Sequence, residues 1–184
     1  MLSNNTVAEN ALPGTVIGNL IVSDPDSDQT HSCKLVDDAQ NTFELNNNIL
    51  TVKTTTLLNF ERASTTSILA SCRDSGFPAE TLTKQLTIVI DDVNEKPIAL
   101  TMSRTTVAEN AADELVGILT TSDPDISDTL FTYTLVKGSD QFVLKNEQQL
   151  FTKDELNFEK KNSYDIRLRS TDRGGTFCVF IKIA

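Results

Sequence analysis

The chain has 184 residues, with 26 Asp or Glu against 16 Lys or Arg, for a formal net charge of −10. That balance argues against nucleic acid as a partner, because phosphate binding needs a basic face. A 39% hydrophobic content with seven Gly and five Pro excludes collagen-like and disordered classes. No apolar run approaches the ~18–20 residues that span a bilayer, and no basic-then-apolar leader follows Met1.

In chain order, strand signals dominate. The β-branched run over residues 16–22 lies between Pro13-Gly14 and Asp24-Pro25-Asp26, which predicts a strand closed by turns. Cys33 and Cys72 fall on strand-like segments. They either pair, leaving Cys178 over, or stay as buried thiols. Residues 83–90 alternate polar and apolar, as a half-buried strand does. The acidic stretch Asp91 to Pro97 contains neither Gly nor Ser and reads as a compact joint, with Pro97 opening the next edge strand. Further on, Tyr164, Ile166 and Leu168 share one strand face, and Phe177, Val179, Ile181 and Ile183 share another. No 12-residue window carries a helical stripe, so about seven short strands per half predict an all-β chain of two sandwiches.

The halves repeat. Val7-Ala8-Glu9-Asn10 returns as Val107-Ala108-Glu109-Asn110, and Asp24-Pro25-Asp26 as Asp123-Pro124-Asp125. Leu58-Asn59-Phe60-Glu61 returns as Leu156-Asn157-Phe158-Glu159, and Asp74-Ser75-Gly76 as Asp172-Arg173-Gly174. The offsets are 100, 99, 98 and 98, too long for a solenoid unit of roughly 20–50 residues, so each repeat is a domain. What recurs is carboxylates at turns. Drawing them together costs repulsion that a cation would relieve.

These motifs, in this order and seen twice, resemble the extracellular cadherin repeat over essentially the whole chain. The resemblance implies two seven-stranded Greek-key β-sandwiches of immunoglobulin-like topology, joined end to end. The expected division is one repeat over 1–91, a calcium-binding linker over 92–97 and a second repeat over 98–184. It further implies two to three Ca2+ ions at the junction. Glu9, Asn59, Glu61, Asp92 and Glu95 would serve the upper sites, with Val93 giving its backbone carbonyl; Asn94, Asp123, Asp125 and Asp172 would build the lower one. Calcium takes six to eight oxygens, more than one loop here supplies, so ligands must converge from both repeats and the linker. The seven carboxylates among them balance the six positive charges of three ions.

Two departures matter. Asn59 and Asn157 stand where the family usually has Asp, and Asp92-Val93-Asn94-Glu95-Lys96-Pro97 is one residue shorter than the common linker. Asp24, Asp26 and Asp74 form a half-site with no linker before it, and Glu109, Asn157 and Glu159 one with no linker after it. The resemblance therefore implies a longer parent protein, the ectodomain of a cell-surface molecule whose transmembrane segment lies elsewhere. It implies neighbouring cadherin repeats, and a homophilic or heterophilic protein, as partners. The Trp-anchored strand exchange of some cadherins is unavailable to a chain without Trp. The expected role is a calcium-stiffened adhesion or spacer module with no small-molecule substrate.

Two other readings compete. A calcium-independent tandem sandwich would not need Glu9 or Glu61. A carboxylate-dependent glycoside hydrolase could use Glu61 with Asp92, but acids that recur at turns in both halves behave as scaffold. His31, the single histidine, has Phe131 as its counterpart and reads as a solvated surface residue. Asn4-Asn5-Thr6 fits the glycosylation acceptor pattern.

Overall fold

The computed structural model describes residues 1–26, 28–54 and 58–184. The chain divides into two compact units, Met1–Val93 and Asn94–Ala184. The first holds strands β1 (Thr6–Ala8), β2 (Val16–Asn19), β3 (His31–Asp37), β4 (Phe43–Asn46), β5 (Ile49–Val52), β6 (Thr65–Asp74) and β7 (Thr81–Asp91). The second holds β8 (Ala99–Met102), β9 (Leu115–Ser122), β10 (Thr132–Lys137), β11 (Phe142–Lys145), β12 (Gln149–Thr152), β13 (Tyr164–Thr171) and β14 (Thr176–Ile183).

In the first unit, a β1-β7-β6-β3 sheet faces a β2-β5-β4 sheet. Strand β1 runs parallel to β7 while the other pairings are antiparallel. Side chains alternate, so Ile68 and Ala70 of β6 and Ile88 and Ile90 of β7 turn inward against Phe43, Leu50 and Val52. Burying each large aliphatic or aromatic side chain contributes roughly 1.5–3 kcal/mol. The second unit repeats the plan with β10-β13-β14 and β11-β12-β9-β8. Ile166, Leu168 and Ile183 are fully buried there, and Tyr164, Phe177, Val179 and Ile181 pack against them, as the alternation predicts.

Early in each unit the chain crosses from one sheet to the other over a glycine. A Cβ on Gly18 would overlap the Asn4 backbone carbonyl, and one on Gly117 would lie 2.7 Å from the Arg104 carbonyl. Asn4, the acceptor-pattern residue, spans this crossover and donates through Nδ2 to the Ile17 and Thr6 carbonyls.

Three local expectations change. The strand expected over 16–22 ends at Asn19, because Leu20 forms only an isolated bridge with Leu2 and Ile21 donates its N–H to Met1. Pro97 is buried and lies two residues before β8, with Ile98 making the first cross-strand bond, to Ser122. His31 is not a solvated side chain: it is only 18% exposed and its Nε2 bonds Asp24 Oδ2 at 2.8 Å. The open cysteine question closes on one side, since Cys33 and Cys72 face each other across β3 and β6 and are disulfide-bonded, leaving Cys178 free.

Candidate functional site

Each recurrent motif has a local structural reason. Asn10 and Asn110 take left-handed φ values of 54° and 62°, which Asn tolerates better than most residues. From that turn their N–H groups reach the carbonyls of Leu58 and Leu156. The preceding glutamates do parallel work: Glu9 Oε2 accepts the Phe60 N–H and Glu109 Oε2 the Phe158 N–H, both at 2.9 Å. Asn59 Oδ1 accepts the Arg62 N–H and Asn157 Oδ1 the Lys160 N–H, closing one helical turn in each unit. In both Asp-Pro-Asp turns the first carboxylate accepts the N–H of the second Asp, at 2.9 Å and 3.1 Å.

At the end of the first unit, Glu9, Glu61 and Asp92 bring carboxylate oxygens within 4.8 Å of one another. Glu9 is only 2% exposed, and its second oxygen accepts the Val93 N–H at 2.9 Å. Asn59 directs its amide Nδ2 to Glu61 Oε2 at 3.1 Å. An Asp at that position could not donate this bond, so Asn59 relieves the charge of Glu61 instead of adding to it.

At the start of the second unit, Asn94 and Glu95 are held by the acidic turn. Asp125, 6% exposed, accepts the Glu95 N–H through Oδ2 at 2.7 Å. Asn94 Nδ2 donates to the Glu95 carbonyl at 2.8 Å and lies 3.3 Å from Asp125 Oδ2 and 3.4 Å from Asp172 Oδ2. Asp172 Oδ1 accepts the Gly175 N–H at 2.8 Å. Asp123 Oδ2 is buried and, among the described residues, meets no hydrogen-bond donor. Desolvation first, then the neighbouring Asp172 and Asp125 carboxylates, push Asp123 up to about 6. A carboxyl oxygen buried among carboxylates without a donor fits a site for a hard cation.

Gly174, taken from the sequence only as part of a recurrent turn motif, has a packing role as well. A Cβ there would overlap the Glu95 carbonyl and lie 2.6 Å from the Asn94 carbonyl, so only glycine lets the chain after Val93 lie against the Asp172 turn. Its recurrence as Gly76 was the available signal. It read as turn chemistry because the strand of backbone packed on it is distant in sequence.

No profile of a known protein family matches the chain. Among curated proteins it is 30% identical to human Protocadherin-1 over 147 residues, covering 72% of this chain and 14% of that protein. It is 33% identical to chimpanzee (Pan troglodytes) Protocadherin alpha-13 over 147 residues, covering 74% and 15% respectively. The chain thus spans about a seventh of the length of these relatives. Among solved structures, extracellular cadherin domains 3–6 of Protocadherin Gamma B2 match all of this chain and 48% of that one, with a TM-score of 0.71 at 21% identity. With the sandwich topology, the twice-repeated turn motifs and these relatives together, the chain belongs to the cadherin superfamily as two tandem cadherin repeats.

Proposed function

We propose that this chain is an extracellular adhesion or spacer module, part of a larger cadherin-superfamily protein, whose two repeats are stiffened by two to three calcium ions bound where they join. Glu9, Asn59, Glu61, Asp92 and Val93 would supply ligands from the first repeat, and Asn94, Glu95, Asp123, Asp125 and Asp172 from the second. We take residues 92–97 as the linker between repeats at 1–91 and 98–184. The observation that carries the reading is the convergence of Glu9, Glu61 and Asp92 within 4.8 Å. Two ionised carboxylates that close repel by on the order of 3 kcal/mol at an effective dielectric of about 20, so the ion-free arrangement is under electrostatic load. When bound, the cation supplies the opposing charge; the residues supply oxygens and hold them in place.

The mechanism is conformational, not catalytic. Removing the ions restores repulsion on both sides of the Val93–Asn94 bond and lets the joint loosen. Extracellular calcium modules bind at about 10⁻⁴–10⁻³ M, a range suited to occupancy outside cells and release inside. The family relatives support an extracellular setting and other cadherin repeats as partners.

Calcium titration by calorimetry into the chelator-treated chain tests this. Two to three ions per chain are expected, with Glu61→Ala weakening binding by at least about tenfold, roughly 1.4 kcal/mol. No binding at several millimolar would overturn the proposal. That result is the outcome of a second reading, a calcium-independent tandem sandwich, which two observations favour. Both Glu9 oxygens are already satisfied by backbone N–H groups, and Asn59 already donates to Glu61.

A further inference from the structure

The outer face of the β10-β13-β14 sheet carries a cluster of cations that no part of the calcium reading uses. Pairing register fixes which residues share it. Tyr133, Ser170 and Phe177 line up on the core side, so the next outward row is Thr134, Arg169 and Cys178. One row further along lie Lys137, Arg167 and Phe180, and then Asp165 opposite Lys182. Asp165 is the one acid on this face among the described residues, and none of Lys137, Arg167, Arg169 and Lys182 lies within ion-pair distance of a carboxylate. Arg167 stacks on Phe180, 5.3 Å from the ring centre, while its buried Nε has no acceptor. Phe180 itself is 68% exposed.

In a chain of net charge −10 this is a local reversal of sign. The corresponding face of the first unit carries, among the described residues, only the cations Lys34 and Arg73, without the central pair. There the register puts Leu69 where Arg167 stands, Ser71 for Arg169, Asp37 for Lys137 and Gln85 for Phe180. Uncompensated cations two residues apart along a strand present donors every ~6.6–6.8 Å. Such a row suits a polymer with regularly placed anionic groups.

We propose that this face binds a sulfated polysaccharide of the extracellular matrix, with Arg167 and Arg169 as the central sulfate-binding pair, Lys137 and Lys182 flanking them, and Phe180 holding the Arg167 guanidinium in plane. An acidic protein surface is the weaker fit. Stable protein interfaces bury about 800 Å² per partner around an apolar, Lys-depleted centre, and this face offers Phe180 among lysines, arginines and hydroxyls.

The test uses the full chain on immobilised heparin in chelator, so it is independent of calcium binding. Retention at about 50 mM salt and release as salt rises are expected, because ion-pair binding to a polyanion falls steeply with ionic strength. Arg167→Ala with Arg169→Ala should weaken binding of a heparin oligosaccharide by at least about tenfold. Lys137→Ala with Lys182→Ala should weaken it less, and Lys34→Ala with Arg73→Ala, on the first unit's sheet, not at all. Circular dichroism checks that each variant is folded. Passage of the wild-type chain unretained, or unchanged binding by both cation pairs, overturns the proposal. Competition by polyglutamate as strong as by heparin also overturns it, in favour of an acidic protein partner.

Discussion

The two Asp-Pro-Asp turns have nearly the same sequence and opposite surroundings. In the second unit, Asp123, Asp125 and Asp172 embrace backbone: Asn94 and Glu95 lie across them, and Asp125 takes the Glu95 N–H. In the first unit, side chains close the same turn. His31 bonds Asp24 Oδ2, Gln29 Nε2 bonds Asp26 Oδ2 at 2.9 Å, and Asp74 Oδ1 takes the Gly76 and Glu80 N–H groups. The Asp26 N–H and then His31 hold the Asp24 carboxyl below its usual range, whereas burial and like charge raise Asp123. One motif therefore gives two electrostatic states. What fills the space above the carboxylates decides whether they are satisfied or loaded.

Substituting the paired glycines should break this comparison most strongly. Gly174→Ala drives a methyl into the Glu95 and Asn94 carbonyls and should cost the second unit ~1–3 kcal/mol or more, read as a lowered thermal midpoint. Gly76→Ala meets the Gln29 side chain at 3.0 Å, a group that can swing away, and should cost well under 1 kcal/mol. Equal losses would mean that the Asn94–Glu95 backbone is not packed on Gly174.

Next comes Glu9→Ala against Glu109→Ala. The buried Glu9 satisfies two N–H groups, so its loss should destabilise the first unit by about 1–3 kcal/mol in chelator. Exposed Glu109 satisfies one, and its loss should cost less than 1 kcal/mol in denaturant unfolding.

The third contrast is in pH. Asp123 is raised from 3.8 to about 6, so between those values the folded second unit holds more protons than the unfolded chain. Its stability without divalent cations should fall as pH rises from about 4 to about 6 and then level off. Asp123→Asn should flatten that slope. A slope unchanged by the substitution would locate its source elsewhere.

The smallest effect concerns His31. Asp24, lowered in the folded state, contributes stability above its unfolded value of 3.8 that is lost as pH falls through its lower folded value. His31→Phe, which installs the residue found at Phe131, should raise the Asp24 midpoint seen by carboxyl NMR titration. No movement would show that the 2.8 Å contact carries no charge coupling.

Much of the fold was legible in the chain itself. Period-two alternation over 164–168 and 177–183 announced the core faces, since a strand with one buried side must place apolar residues at every second position. The recurrence of Ala-Glu-Asn and Leu-Asn-Phe-Glu marked the turns, because the left-handed Asn is a local requirement and the glutamate bonds the Phe N–H of the second motif, 51 and 49 residues on. The acids at those turns were legible as candidates for the same reason. His31 differs from the expectation because the chain turns back so that Asp24, seven residues earlier, covers and bonds its ring.

The sequence alone determined the strand faces, the turn positions and the duplication, all of which show in local residue pattern. Only the tertiary structure decided that Cys33 meets Cys72, that Gly174 must stay bare beneath Asn94 and Glu95, and that His31 bonds one acidic turn while Asn94 and Glu95 lie across its twin. Those outcomes depend on which distant segments come into contact. Burial and side-chain pairing in the folded chain, not local propensity, set their energies.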